Sequence, residues 1–300
     1  MARLPFVDTH VHFHDMTHPL VRYEWIAPDA PIDPVVGPDG AMRAQRYWAD
    51  DFLAETRFQN VSNVVHVQAA FGTADPVEET RWLQAFADRL GPPQGIIAQA
   101  QLARPDAAAV LAGHRAFPNY RGVRDMRYDD YLEDPDWLRG YSLLAGEVFC
   151  DDPFVEQMPA ARRLAETFPE VTYCVDHAAY PGFGGNPRDP ALADFAAWRS
   201  GMRELARAAN TVVKISGLGM SDHAWTAASI RPWVLECIEA FGVERSFFGT
   251  NWSVDRLYSS YGDVLDAYAE IVSDCTESEQ RALFAGNAER VFRLAPEGTP

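Results

Sequence analysis

Short apolar runs alternate along the chain with segments in which apolar residues recur about every 3.6 positions. The runs are apolar on both faces, as in Val64-Val65-His66-Val67, which is typical of buried parallel strands. They predict eight strands, at residues 6–13, 61–69, 95–102, 120–126, 145–150, 171–177, 211–217 and 245–251. The segments between them predict helices at residues 47–59, 77–90, 105–116, 153–168, 190–209, 228–241 and 259–273.

Eight strand units that alternate with helices over 300 residues predict an α/β fold of the (β/α)8, or TIM barrel, class. We expect one domain that spans residues 1–300. The main alternative is a doubly wound open sheet, which would place a glycine-rich phosphate-binding turn after the first strand. The first strand ends instead in His10-Val11-His12, and the barrel is therefore preferred.

Charge and composition narrow the classes of partner. The formal net charge of −17 disfavours nucleic acid and anionic membrane surfaces. No apolar stretch reaches the length of about 18 residues that a membrane span requires. The cysteines are far apart and the first strand follows the N-terminus directly, which together predict a reduced, cytoplasmic protein without a signal peptide. We expect a small-molecule substrate, with a homodimer as the working expectation for the oligomeric state.

The first predicted strand carries two histidines one residue apart. Residues i and i+2 of a strand point to the same face, so His10 and His12 would project side by side. Two neutral imidazoles that converge on one point are typical ligands of a zinc-like ion. The alternative is a pair of polar residues on a half-exposed strand.

Further ligands are expected at the ends of later strands. His177 stands at the end of strand six, and Asp255 follows strand eight. In a barrel these two residues would meet His10 and His12 at one mouth, where three imidazoles and a carboxylate suit one divalent ion, most simply zinc, with a position left for water. Taken singly, His177 could be a core histidine, and Asp255 could cap the helix that begins near Ser259.

Two long loops, at residues 27–46 and 178–190, follow strands one and six. Both would lie at the C-terminal mouth of a barrel, where active sites are built, although they could also be plain surface loops.

Several other side chains are candidates for substrate binding. His66 and Gln68 share one face of strand two, and a structural role is the alternative for His66. Lys214 is a charge within an apolar strand and requires a carboxylate partner or a functional role. Trp25 and Trp252 could line a ring-shaped substrate, although aromatic residues are more often packed in cores.

These motifs resemble the amidohydrolase superfamily, in order and over nearly the whole chain. They comprise Asp8-Thr9-His10-Val11-His12, Arg121-Gly122-Val123-Arg124, Asp176-His177, Val213-Lys214-Ile215-Ser216-Gly217-Leu218, Thr250-Asn251-Trp252-Ser253-Val254-Asp255 and Gly286-Asn287-Ala288.

The resemblance is narrower to the amidohydrolase 2 branch, which holds sugar-lactone hydrolases, pyrone-dicarboxylate lactonases and aromatic-acid decarboxylases. The residues around Trp25 and the segment Glu79-Thr80-Arg81-Trp82-Leu83 favour the lactonase group. The likeness also implies that the metal is dispensable in some members. No lysine stands at the end of strand four, where Arg124 lies, so a mononuclear centre is expected. Ser253 departs from the proline that family members often have there.

The resemblance and the residue types together predict opening of a lactone. Asp255 would take a proton from the attacking water and return it to the leaving oxygen. A bound metal would polarise the carbonyl group; without one, His10, His12 and His177 would form an oxyanion hole. Arg124 could hold a substrate carboxylate or carbonyl, or could pair with Asp125, Asp129 or Asp130.

Three alternatives to lactone hydrolysis stay open. The first is a metal-dependent, non-oxidative decarboxylase of an aromatic acid. The second is a barrel that only binds a ligand, and the third is hydrolysis of other C–O or C–N bonds within the same superfamily.

Overall fold

Eight parallel strands form the central sheet in the computed structural model, which describes residues 4–33, 36–44, 46–127, 129–181 and 195–295. The strands, numbered in chain order, are β1 (Phe6–Val11), β4 (Val61–Val67), β5 (Gly95–Gln99), β6 (Tyr120–Arg124), β7 (Val148–Asp151), β8 (Thr172–Val175), β9 (Thr211–Ile215) and β10 (Ser246–Phe248). The two remaining strands, β2 (His14–Asp15) and β3 (Arg46–Tyr47), form an antiparallel ribbon.

Each strand of the central sheet pairs with the next one along the chain, from β1 through β4 to β10. The ring is nearly closed where the segment after β10 meets β1, because Trp252 N donates to His10 O at 3.2 Å and a parallel bridge joins Val11 to Trp252. The predicted TIM barrel and its eight strands are confirmed. Most strands end earlier than predicted, because their last residues leave the sheet to carry the loops at the mouth.

Helices lie between the strands of the barrel. They are α1 (Ala49–Thr56), α2 (Val77–Leu90), α3 (Ala107–Arg115), α4 (Pro135–Tyr141), α5 (Met158–Thr167), α6 (Phe195–Leu205), α7 (Leu218–Ser221), α8 (Ala227–Phe241), α9 (Tyr261–Ile271), α10 (Glu277–Arg281) and α11 (Asn287–Val291), with a π-helical turn at Ala282–Gly286. All seven predicted helices are confirmed within the described residues, although residues 190–194 of the fifth predicted helix and residues 182–190 of the second long loop lie outside them.

Helix α4 is absent from the prediction. Its local signal is an N-cap, since the Asp134 side chain accepts a hydrogen bond from Asp136 N and Pro135 occupies the first helical position. The helix has only seven residues, too few for a convincing apolar period.

Apolar side chains fill the barrel interior beneath the C-terminal mouth. Val7, Val65, Ile97, Val148 and Phe247 are buried there in one cluster. A larger apolar cluster lies between the strands and the surrounding helices. Polar side chains on the strands are therefore held at the mouth by a rigid apolar floor. Among the described helices, none has both the length and the apolar character needed to span a membrane.

Candidate active site

His10 and His12 meet at the C-terminal end of β1. Their Nε2 atoms are 3.1 Å apart, and both rings are buried. The Nδ1 atom of His12 is 2.9 Å from the carbonyl oxygen of Val67. A carbonyl oxygen only accepts hydrogen bonds, so Nδ1 of His12 carries the proton and Nε2 presents a lone pair to the site. Burial lowers the pKa of both histidines, and positive neighbours such as Arg124 beside His12 lower it further, so both rings are neutral.

Below His10 lies a buried ion pair between Lys214 and Asp176. Lys214 Nζ is 2.7 Å from Asp176 Oδ1 and 3.4 Å from His10 Nδ1. Burial alone would lower the pKa of Lys214, but the Asp176 charge outweighs it and raises that pKa above its ordinary value. Lys214 is therefore an ammonium ion, and its required carboxylate partner is Asp176. The sequence analysis noted Asp176 only as part of a motif.

His177 approaches His10 from the end of β8. The two ring centroids are 4.2 Å apart, and His177 Nδ1 lies 3.0 Å from Ser216 Oγ. That contact occupies Nδ1, so Nε2 is the nitrogen that could face a ligand. Burial lowers the pKa of His177 to about 3, and the charges of Arg124 and Lys214 act in the same direction.

Asp255 follows β10 and is fully enclosed. Its Oδ1 accepts a hydrogen bond from Asn251 Nδ2 at 3.0 Å, and its Oδ2 accepts one from Gly219 N at 3.3 Å. Burial raises the pKa of Asp255 to about 7; the two hydrogen bonds oppose this shift, and the charge of Asp8 adds to it. A carboxyl group with a pKa near neutrality can both accept and return a proton.

Two glycines allow His177 and Asp255 to approach the same short loop. A Cβ atom at Gly217 would lie 2.4 Å from His177 Nδ1, and one at Gly219 would lie 3.1 Å from Asp255 Oδ2. Gly217 also has a φ of +64°, which side chains rarely tolerate. His177 and Asp255 therefore both lie against the loop formed by residues 217–219.

Asp8 supports the end of the barrel next to Asp255. It accepts hydrogen bonds from Thr250 Oγ1 at 2.6 Å, Thr250 N at 3.0 Å and Tyr261 OH at 2.9 Å. Burial raises the pKa of Asp8 to about 6, although these hydrogen bonds oppose the shift. Its carboxylate therefore connects the start of the chain to the segment that carries Asp255.

Arg124 lies at the same mouth and pairs with Asp152, a partner that the sequence analysis did not name. Arg124 Nη2 is 2.8 Å from Asp152 Oδ2, and Tyr180 OH lies 3.4 Å from the same oxygen. The Tyr180 ring centroid is 5.4 Å from that of His177. Trp25 is half-buried against the apolar cluster that contains Tyr180, and its indole N–H donates to Ala69 O at 2.8 Å.

The other predicted residues lie further from the histidines. His66 accepts a hydrogen bond from Phe13 N at 3.2 Å and faces Glu79 Oε1 at 3.4 Å, with its ring centroid 6.5 Å from that of His12. Gln68 is buried and donates to Ala70 O.

The structure does not bring Trp252 to the mouth. Its ring packs on Tyr261 within the core between barrel and helices, and its indole N–H donates to Glu55 at 3.1 Å. Its main chain, by contrast, closes the barrel. The roles of Arg124, Trp25, His66 and Gln68 in substrate binding stay predictions.

Two donor atoms at the mouth have the spacing that a divalent ion requires. Two nitrogens that bind one tetrahedral ion are about 3.3 Å apart, close to the 3.1 Å observed between His10 Nε2 and His12 Nε2. Asp176 Oδ2 is buried without a hydrogen-bond partner in the described part of the chain and lies 3.7 Å from His10 Nδ1. Such a carboxylate is what a metal-bound histidine commonly uses to hold its second nitrogen.

A second group of metal-binding atoms fits less well. Cys150, Cys174 and Asp176 present ligand atoms within 4.8 Å of one another. However, the Lys214 ammonium group lies 2.7 Å from Asp176 Oδ1 and 3.7 Å from Cys150 Sγ. A cation at this group would be repelled by Lys214, which already neutralises Asp176.

Comparison with known proteins agrees with the fold and the motifs. The amidohydrolase family model matches residues 7–294. The chain belongs to this family. It is 34% identical to the uncharacterized protein y4mH of Sinorhizobium fredii, over 98% of this chain and 100% of that protein. It is 27% identical to an L-fucono-1,5-lactonase of Burkholderia multivorans, over 96% of both chains.

A solved amidohydrolase of Burkholderia multivorans, with bound zinc, has the same architecture. It superposes with a TM-score of 0.78 at 26% identity, and the alignment covers 97% of this chain and 99% of that chain. Family membership makes this chain an enzyme of the amidohydrolase superfamily.

Proposed function

We propose that this amidohydrolase opens lactones, the cyclic esters of hydroxy acids, at the mouth formed by His10, His12, His177 and Asp255. The observation that carries the proposal is the enclosed Asp255 carboxyl group, with a pKa raised to about 7, which lies against the same short loop, residues 217–219, as His177. Hydrolysis of an ester needs a group that takes a proton from water and returns it to the leaving oxygen. The likeness to L-fucono-1,5-lactonases supports a cyclic ester as the substrate.

Asp255 acts twice in this reaction. As a carboxylate it takes one proton from water while the water oxygen bonds to the carbonyl carbon of the lactone. The tetrahedral oxyanion then re-forms its carbonyl group, the ring C–O bond breaks, and Asp255 returns the proton to the leaving oxygen. The hydrogen bonds from Asn251 and Gly219 hold the carboxylate in place throughout.

The tautomer of His12 bears on how the oxyanion is stabilised. Neutral His12 presents the lone pair of Nε2, because its Nδ1 proton is bonded to Val67 O. Nε2 of His12 therefore cannot donate a hydrogen bond to an oxyanion. The mechanism without a metal, predicted from the sequence, requires His12 to donate one. A lone pair instead suits a metal ligand, which supports one divalent ion, with zinc as the proposed species. Bound by His10, His12, His177 and Asp255, the ion would supply Lewis acidity to the carbonyl oxygen.

Proton release from a panel of five- and six-membered lactones, followed with a pH indicator, tests the proposal. The wild-type protein is expected to hydrolyse at least one member. Asp255→Asn should lower kcat/KM by about 10²- to 10⁴-fold, the usual contribution of a general acid–base. Asp263→Asn, at an exposed position in the first turn of α9, is the matched control and should leave the rate unchanged.

Two results would contradict the proposal. One is the absence of hydrolysis across the panel, and the other is full activity in Asp255→Asn. Release of CO2 from an aromatic acid would instead support the decarboxylase alternative.

A further inference from the structure

Asp152 has one carboxylate oxygen that no group of the described chain satisfies. Its Oδ2 is bonded by Arg124 Nη2 at 2.8 Å and lies 3.4 Å from Tyr180 OH. Its Oδ1 is buried and has no hydrogen-bond partner within the described residues, and the side chain is only 10% exposed. Burial of an acceptor without a donor costs free energy, so such atoms in folded proteins commonly bind a ligand or a water molecule.

This oxygen lies beside the proposed reaction centre. Asp152 directly follows β7 at the C-terminal mouth, and its partner Tyr180 has its ring centroid 5.4 Å from that of His177. Arg124 is close enough to His12 and His177 for its charge to lower the pKa of both. A substrate held over the histidines would therefore extend towards the pair formed by Arg124 and Asp152.

The space next to the pair is small. A cavity of about 10 Å³ is lined by Arg124, Asp151 and Asp152 together with Asp125, Met126 and Arg127. The Arg127 guanidinium group is itself paired with Asp129. The cavity volume holds about one water-sized group. One hydroxyl group fits such a space, whereas a carboxylate group, with two oxygens on a carbon, does not.

The electrostatics lead to the same ligand. The Asp152 carboxylate neutralises the Arg124 guanidinium group, which weakens the attraction of Arg124 for an anionic substrate. A carboxylate oxygen only accepts hydrogen bonds, so the ligand has to supply the donor. A hydroxyl group supplies one, and a substrate carboxylate or carbonyl oxygen does not.

We propose that Asp152 is a specificity-determining residue that accepts a hydrogen bond from one hydroxyl group of the substrate. The site would then select an uncharged, polyhydroxylated lactone over a lactone that bears a carboxylate. In this arrangement Arg124 positions Asp152 and does not clamp a substrate carboxylate. The substrate class rests on the proposed lactone hydrolysis, but the hydroxyl subsite itself does not.

Binding of lactams tests the subsite independently of activity. The probes are a polyhydroxylated lactam, in which a ring N–H replaces the ring oxygen of a sugar lactone, and a set of analogues that each lack one hydroxyl group. Affinities are measured by calorimetry for the wild-type protein and for Asp152→Ala. The substitution should lower the affinity for the fully hydroxylated lactam by about 10- to 100-fold, as expected for loss of a hydrogen bond to a charged group. One deoxy analogue, which lacks the recognised hydroxyl, should bind both proteins equally.

Two further variants control for folding and for surface charge. Asp152→Asn keeps the shape of the side chain and should weaken binding less than Asp152→Ala. Asp136→Ala removes an exposed carboxylate that pairs with Arg139 and should leave every affinity unchanged. Circular dichroism and thermal unfolding establish that each variant is folded.

The outcomes separate this inference from the proposed function. Equal weakening of all lactams by Asp152→Ala, no weakening at all, or no measurable binding to the wild-type protein would overturn the subsite. If binding depends on Asp152 as expected but no lactone is hydrolysed, the subsite stands and lactone hydrolysis is wrong. If lactones are hydrolysed but lactam binding does not depend on Asp152, lactone hydrolysis stands and the subsite is wrong.

Discussion

Lys214 Nζ and Asp176 Oδ1 are 2.7 Å apart directly below His10, and neither side chain is exposed to solvent. The two charges come from adjacent strand ends, with Lys214 on β9 and Asp176 immediately after β8. The pair fixes the floor of the histidine cluster, because each charge is stable in the interior only while the other is present.

Loss of either partner should destabilise the protein strongly. Lys214→Met and Asp176→Asn are each expected to lower the free energy of unfolding by about 3–5 kcal/mol, because each substitution leaves the other charge of the pair buried without a partner. The double variant should lose less free energy of unfolding than the sum of the losses in the two single variants. Urea denaturation of all four proteins gives the coupling. The exposed pair Arg139 and Asp136, treated in the same way, should show no coupling. Additive effects at Lys214 and Asp176 would show that the pair is not a unit.

A methyl group at Gly217 should disturb the active site more than one at another glycine of positive φ. Gly217→Ala would place Cβ 2.4 Å from His177 Nδ1, at a φ of +64°. Gly146 is the matched control, because it has a φ of +81° and no atom within 4 Å of the added Cβ. Both variants should lose about 1–2 kcal/mol of stability from backbone strain. Only Gly217→Ala should also lose lactone hydrolysis or metal binding, because His177 has to move. Equal activity in the two variants would contradict this.

The stability of the protein should depend on pH through Asp151. This carboxyl group accepts hydrogen bonds from Tyr131 and Tyr173, and burial raises its pKa to about 7 from an ordinary value of 3.8. The folded state therefore holds the proton more tightly than the unfolded state. The resulting stabilisation is complete below pH 4 and is lost as the pH rises towards 7, by an amount on the order of 4 kcal/mol.

Asp151→Asn isolates this contribution, since an amide stays neutral at every pH. Compared with the wild-type protein, the variant should be less stable or equal at pH 4 and should gain relative stability by pH 8. Urea midpoints at several pH values measure the difference. A constant difference between pH 4 and pH 8 would show that Asp151 does not titrate in this range.

Metal content should follow the histidines and not the buried cysteines. Purified wild-type protein is expected to contain about one zinc-like ion per chain, removable by chelation. His12→Ala should lose most of this metal, whereas Cys150→Ser should retain it. The exposed His223, changed to Ala, is the control for a histidine elsewhere. Elemental analysis after dialysis gives the stoichiometry. Metal that is lost in Cys150→Ser but kept in His12→Ala would place the ion at the cysteine group.

Local patterns were enough to predict the barrel and the candidate site's main residues. Apolar runs bounded by turns identify strands that are buried on both faces. The period of apolar residues also predicted both ends of helix α2. His10 and His12 were predicted to be neighbours because the two-residue repeat of a strand determines it. The short helix α4 was missed because its packing, and not its period, stabilises it.

The sequence by itself therefore determined the order of strands and helices and the presence of histidines and a carboxylate at strand ends. Only the tertiary structure decided which charges meet. Asp176 pairs with Lys214, and Asp152 with Arg124, across strands whose register is set by packing of the whole barrel. The same packing left Trp252 in the core and away from the mouth. Periodicity is a property of neighbouring residues, whereas a buried ion pair depends on distances that exist only after the ring of strands has closed.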